Sequence, residues 1–273
     1  MPDTPRSKVY VKDKVTLQHN QKTGEVGTID IFRGCIGCEM SKSCYAAKGA
    51  RRTGIDFFQP IRRDYDESLL KKQLKNYGID WVRIGCISDP SLDWSTTNKV
   101  VALLSEVGKK AAVITKVYNI PAEKDINELA KGDLNIQISV CGLTPIRELK
   151  KRKAFAIRLK DKGFLLGWRI NSAVWKKGSK AERVQNDLIL FARENRIEII
   201  DTPLRLFTNN NFWNHVDQNL YHRHLSPISG KLDNQRTAGL IIPDSYPCYS
   251  TCSPTPTEFD PIGCKHQCLT RMK

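Results

Sequence analysis

The feature that most constrains this fold is an alternation of short β-rich runs with longer stretches of helical periodicity through the middle of the chain. The β-rich runs fall at 27–32, 81–87, 111–115, 135–141, 164–170 and 197–201. Most are near-continuous apolar runs, as expected of parallel strands buried on both faces. Helices are expected between them at 64–77, 95–107, 123–131, 144–162 and 179–196. Start signals agree: Thr144 followed by Pro145 reads as an N-cap with proline in the first helical position, and Ser179 with Glu182 as a capping box. Gly108, Gly132 and Gly163 stand where C-terminal stops belong. Six strands joined by right-handed crossovers make a parallel sheet or partial barrel. The expected fold is therefore α/β, a partial parallel (β/α)6 barrel over 26–202. An N-terminal extension, 1–25, precedes it. A loop-rich cap, 203–273, follows, with five prolines between 243 and 261.

In such folds chemistry collects beyond the C-terminal ends of the strands. After the first run come Cys35, Cys38, Cys44 and Tyr45, and after the second Ser88-Asp89-Pro90. The third ends in Thr115-Lys116, the fourth in Ser139-Val140-Cys141, the fifth in Asn171-Ser172 and the sixth in Asp201-Thr202. Polar and metal-ligating residues gather at one end of every strand, which predicts an active site there. Arg169 alternates with Trp168 on the fifth strand, so it points either into the same cavity or to the outside.

Cellular setting decides how the cysteines are read. No apolar run approaches the roughly 18 residues of a membrane span, and the N-terminus has no apolar stretch of the secretory kind. A cytoplasmic protein with no membrane partner is expected, and there stable disulfides are rare. The nine cysteines form two groups, Cys35, Cys38 and Cys44, then Cys248, Cys252, Cys264 and Cys268, with Cys86 and Cys141 alone. Three thiolates without a nearby histidine suit an iron–sulfur cluster with one open iron better than structural zinc, which takes four ligands. Gly34 and Gly37 would let the backbone wrap it. The four late cysteines form a closed set suited to a second iron–sulfur cluster or to zinc, and a metal-held cap over the barrel is expected. Cys86 and Cys141 each read as a small buried hydrophobe or as a reactive thiol. His222 and His224 alternate as along a strand and are expected to be structural or near substrate.

With an aromatic residue after the last cysteine, Cys44-Tyr45-Ala46, the three-cysteine loop resembles that of the radical S-adenosylmethionine superfamily, although its C-x2-C-x5-C spacing departs from the usual C-x3-C-x2-C. The runs IGCISDP, VITKVYNIPAEKDINELAK and IQISVCGLTPIRELKKRKAFAIRLKDKGFLLGWRIN are similar to segments of the branch containing spore photoproduct lyase and related phage proteins of unknown function, over about 26–200. The resemblance implies a [4Fe–4S] cluster on Cys35, Cys38 and Cys44 that binds S-adenosyl-L-methionine and generates a 5′-deoxyadenosyl radical. It implies cofactor contacts from Tyr45, Lys116 and Ser139, with Ser88 and Asp89 replacing the usual amino-group-binding turn. Arg169 and Asn171 are further candidates for the cofactor site, and Cys141 a candidate hydrogen donor. A flavodoxin- or ferredoxin-like reductant is implied as well.

Charge bears on the substrate. The 273 residues carry a net charge of +15. Between Arg147 and Arg183 thirteen Lys or Arg face three Asp or Glu, which leaves +10 in that stretch. Lys150, Lys151, Arg152 and Lys153 are expected to face outward, with Trp168 and Trp175 nearby, as for contact with a phosphate backbone. A nucleic acid or nucleotide is the expected substrate, and modification or repair of a base the expected outcome. Two alternatives remain: a radical enzyme acting on a peptide or small molecule, and a noncatalytic metal-stabilised nucleic-acid-binding module, which has no use for an open ligand position.

Overall fold

The computed structural model describes residues 13–18, 26–52, 54–207, 211–225 and 232–247. An eight-stranded sheet runs in the order β1 (Leu17–Gln18), β2 (Thr28–Ile29), β3 (Trp81–Ile84), β4 (Lys110–Thr115), β5 (Leu134–Cys141), β6 (Leu165–Asn171), β7 (Glu198–Asp201) and β8 (Tyr246–Pro247). Neighbours from β2 to β8 are parallel, and β1 pairs antiparallel with β2. Among the described residues the end strands β1 and β8 do not pair with each other, so this is an open partial barrel. Six α-helices lie among the described residues: α1 (Tyr45–Arg52), α2 (Glu67–Lys75), α3 (Trp94–Glu106), α4 (Glu123–Leu129), α5 (Ile146–Asp161) and α6 (Lys180–Glu194).

The register explains the layers. Ile138 of β5 lies beside Trp168 of β6, and Ile136 and Val140 beside Leu166 and Ile170. These residues point to the helical side and join Leu104, Phe155, Leu159 and Leu188 in one core. The alternate positions, Asn135, Gln137, Ser139, Arg169 and Asn171, point to the opposite face. Strands β5 and β6 are thus buried on both faces but apolar mainly on one, a correction there to the near-continuous apolar reading. Trp81 and Ala112 pack with Val26 on that second face.

Helix starts follow local chemistry. Asp66 and Asp93 accept from Leu69 N and Thr96 N at the heads of α2 and α3. Ser179 accepts from Glu182 N, and Glu182 turns back to Gly178 N. Helix α5 begins one residue later than expected, at Ile146. The Thr144 hydroxyl is drawn away from capping: it accepts from Cys141 N and donates to Glu39. Gly108 and Gly163 do end helices with positive φ, whereas Gly132 does not have positive φ and is needed because a Cβ there would lie 2.4 Å from Val101 Cγ1.

The first expected strand splits after Ile29, and Phe32–Arg33 pairs with Ile61–Arg62 instead. Both flanks of the barrel join it. Val15 and Leu17, in the stretch before it, are core residues. Beyond β7, Leu206–Phe207, His222–Leu225 and Leu232–Thr237 form a separate antiparallel sheet. Strand β8 returns beside β7, where buried Asp201 accepts from Ile241 N and Ile242 N. Cys248, Cys252, Cys264 and Cys268 lie outside the described residues. Among the described residues no helix is long and apolar enough to cross a membrane.

Candidate functional site

A cavity of about 230 Å³ opens at the C-terminal edge of the sheet. Cys35, Cys38 and Cys44 line it, together with Ser88, Asp89, Lys116, Ser139, Arg169 and Asn171. With Thr202 beyond β7, residues from five strand ends and from the cysteine loop meet at one place, although they span more than half of the chain. The loop is fixed by its own backbone. Gly34 has φ +91°, and a Cβ there would meet Phe57 O at 2.5 Å. Cys35 N donates to that same oxygen at 2.8 Å. Gly37 meets only Ser41 Oγ, at ordinary contact distance, so it is not needed for close wrapping. Ser41 Oγ accepts from Cys38 N and donates to Cys38 O, both at 2.6 Å. Cys44 precedes α1, and the amides of Ala47 and Ala46 donate to its sulfur.

Burial pushes the Cys35 thiol up to about 12, and Asp89 and the neighbouring Cys38 add to the shift. Burial likewise raises Cys44, against the pull of the two amides. Tyr118 donates toward Cys35, and its own hydroxyl is pushed up by burial and by Cys38 and Cys35. Left to themselves such thiols stay protonated at neutral pH, and a cation that displaces the protons answers both burial and mutual repulsion. Among the described residues no three His, Cys, Asp or Glu converge on a point as the donors of a single ion must. The three cysteines that line the cavity offer three thiolate donors, the number that a cluster with one open iron takes, whereas structural zinc takes four.

The strand-end residues divide by what they touch. Asp89 is saturated: Ser91 N, Ser91 Oγ and Thr115 Oγ1 donate to Oδ1, and Lys116 N to Oδ2 at 2.6 Å. It ties the ends of β3 and β4 together. Ser88 Oγ donates to Asp30, whose Oδ1 also takes Ile87 N and Ser88 N. Arg169 points inward, with Nε and Nη2 on Gln137 Oε1 and Nη1 on Thr202 Oγ1. Ser139 and Asn171 present polar side chains to the cavity with no hydrogen bond to another described side chain. Cys86 also lines the cavity, whereas Cys141 is fully buried and outside its lining. The placement of Cys141 fits a small packed thiol, pushed up to about 11 by burial, and not a donor facing substrate. Of Tyr45 the structure gives only its place at the head of α1.

Local sequence reading missed three residues here. Glu39 sits inside the cysteine loop and is buried against Lys116 at 2.8 Å, Thr144 Oγ1 at 2.8 Å and Arg152 at 3.4 Å. Asp30 holds the 87–88 turn, and Tyr118 stands over Cys35. Val117, between Lys116 and Tyr118, is fully buried with φ +53°, which is strained for a β-branched residue.

The expected basic face is not built as one surface. Arg152 is fully buried and donates to Glu39 and Ser139 O. Lys151 pairs with Glu148, Lys153 with Asp187, and Arg158 and Lys162 with Glu123. Trp168 and Trp175 are buried, so neither ring offers a face to a base. Trp168 belongs to the core on the helical face and Trp175 to a second cluster with Leu204, Leu206, Phe212 and Tyr221, which is why they follow a basic run without flanking it in space. His222 is exposed.

No family model matches this chain, and no curated protein matches it. Among solved structures it is similar to Streptococcus suis SuiB bound to S-adenosylmethionine, at TM-score 0.47 and 17% identity over 67% of this chain and 41% of that one. SuiB bound to the precursor peptide SuiA gives TM-score 0.46 and 18% identity over 64% and 38%. The chain thus spans about two fifths of the length of SuiB.

Proposed function

We propose that this chain is a radical S-adenosylmethionine enzyme whose cluster is held by Cys35, Cys38 and Cys44. One observation carries the reading. Three cysteines from one loop share a cavity with polar strand ends at the C-terminal edge of an open parallel sheet. A noncatalytic module has no use for that convergence. Held by Cys35, Cys38 and Cys44 and reduced by an external electron donor, a [4Fe–4S] cluster with an open iron would supply the electron for reductive cleavage of the sulfonium.

The chain's residues do the rest. Ser139 and Asn171 offer the cofactor short polar partners, and Arg169 brings a buried positive charge to the same wall. Asp89 and Ser88 hold the turns around it through the bonds they already make. Phe57, buried beside the cysteine loop, and Phe58, Ile36 and Ile87 give the cavity an apolar side alongside these polar groups. Strand β8 ends at Pro247 beside the end of β7, at the cavity edge, which favours a cap over the barrel built by the late cysteines with a second cluster or zinc.

The net charge of +15 favours a nucleic acid or nucleotide as substrate. The half-exposed rings and methyls of Phe58 and Ile87 at the cavity favour a second reading, a peptide or apolar small molecule. The test is anaerobic reconstitution with iron and sulfide, then dithionite and S-adenosyl-L-methionine, with Cys38→Ala as control. About four irons at the first loop and 5′-deoxyadenosine that disappears in the variant support the enzyme. No iron and no cleavage leave the binding module. Oligonucleotide and peptide pools, compared for stimulation of cleavage, then separate the two substrate readings.

A further inference from the structure

We infer that Glu39 is a positioning residue: its carboxylate ties the cysteine loop to the ends of β4 and β5 and balances the buried cations Lys116 and Arg152 beside the cluster. The inference rests on the proposed cluster at Cys35, Cys38 and Cys44 and assigns Lys116 a different task from holding S-adenosyl-L-methionine.

The geometry is that of a tether. A single oxygen, Oε1, accepts from Lys116 Nζ at 2.8 Å, from Thr144 Oγ1 at 2.8 Å and from Arg152 Nη1 at 3.4 Å, and the Cys141 thiol lies 3.7 Å away. The donors come from the end of β4, the turn after β5 and the body of α5. Glu39 directly follows Cys38, so fixing its side chain fixes where the Cys38 sulfur stands. Each donor also has a reason to stay in place: Arg152 Nη1 donates to Ser139 O, and Thr144 Oγ1 accepts from Cys141 N. A carboxylate held by a lysine, an arginine and a hydroxyl in a buried setting is a high-stakes arrangement, costly to leave half made.

The charges matter as much as the bonds. Around Oε1 two buried cations face one buried anion, and Asp89, which lines the same cavity and acts on Cys35, is a second buried carboxylate nearby, so the local balance is set by single charges. Lys42 and His215 border the loop from its other side, but both are exposed and screened by water. Three thiolates on a cluster carry net negative charge, and reduction adds one more. Net charge near a cluster is one of the levers on its reduction potential. Glu39 lowers the local positive field and Lys116 raises it.

The test uses the full chain reconstituted without oxygen and reads iron per chain and the midpoint potential, followed by the electron paramagnetic resonance of the reduced cluster. Glu39→Ala should retain less than half of the iron of the unaltered chain. Glu39→Gln keeps an acceptor of the same shape, so it should retain iron while its midpoint potential moves to more positive values. Lys116→Met should move it the opposite way. If Glu39→Ala fails to fold, the Gln and Met variants still carry the test, because opposite shifts are not expected of a merely structural role. Equal iron and equal potentials in all variants would overturn the inference while leaving the cluster in place. An unaltered chain that takes up no iron would overturn the cluster reading itself, and the inference with it.

Discussion

The two faces of strands β5 and β6 share a backbone and differ in everything else. On one face Ile138 pairs with Trp168 and both meet helices; one residue along, Ser139 pairs with Arg169 and both meet the cavity. The period of two in a strand makes this possible, because alternate side chains can obey different demands. The outer face is selected for volume and apolar contact, the inner face for polarity at fixed positions. Substitutions on the outer face should therefore change stability, and those on the inner face should change chemistry.

Trp168→Ala puts the largest strain on that division. The ring is fully buried and lies 5.0 Å from that of Phe191, centroid to centroid. Its Nε1 has no hydrogen-bond partner among the described residues, so the loss is one of packing. Denaturant unfolding should show a loss of about 3–5 kcal/mol. A loss under about 1 kcal/mol would mean that the outer face is not the core.

Gly34→Ala tests the loop that completes the inner region. Left-handed φ costs an L-residue roughly 1–2 kcal/mol, and the added Cβ presses on the carbonyl that holds Cys35. The expected result is a destabilisation of that size together with reduced iron uptake on reconstitution. Unchanged iron uptake would show that the loop can hold its cysteines by another path. Ser139→Ala and Asn171→Ala should leave the unfolding midpoint nearly untouched, within about 0.5 kcal/mol. Release of 5′-deoxyadenosine should fall at least about tenfold, or about 1.4 kcal/mol in barrier. Stability lost with cleavage retained would reverse the assignment of the faces.

Much of the outer face was legible in the sequence, because hydrophobic period and capping residues are local signals. The strands at 111–115 and 135–141 and helices α3 to α6 fall within a few residues of expectation. The strand ends at the cavity were legible for the same reason, since topology brings them to one edge. Glu39 was not legible. An acidic residue in a polar loop reads as solvated, and the partners that bury it lie 77, 105 and 113 residues along the chain. Arg152 did carry a signal. It shares a helical row with Leu149, Phe155, Ala156 and Leu159, all buried, and that spacing outweighs the three lysines around it. Trp168 likewise takes the apolar side by alternation with Arg169, which separates it in space from the basic run.

Asp30 tests the smallest difference between the faces. It ends the first strand region on the inner side, with Oδ1 taking three donors and Oδ2 none among the described residues. Burial raises its carboxyl above the usual range, against the amides of Ser88 and Ile87, the Ser88 hydroxyl and the charge of Arg63. A carboxyl raised on folding binds its proton more tightly in the native state. Its contribution to stability is therefore fullest below the unfolded value near 3.8 and is lost as pH rises through the folded value. At neutral pH the ionised group is a cost that an amide would not carry, while asparagine keeps Oδ1 for the same three donors. Asp30→Asn should thus be more stable than the unaltered chain by about 1 kcal/mol at neutral pH, and the gain should shrink as the solution is acidified toward 3.8. Thermal melts of both proteins across that range check it. An asparagine variant that is weaker at neutral pH would show that attraction to Arg63 outweighs burial, and that the inner face is held by charge pairs there as it is at Glu39.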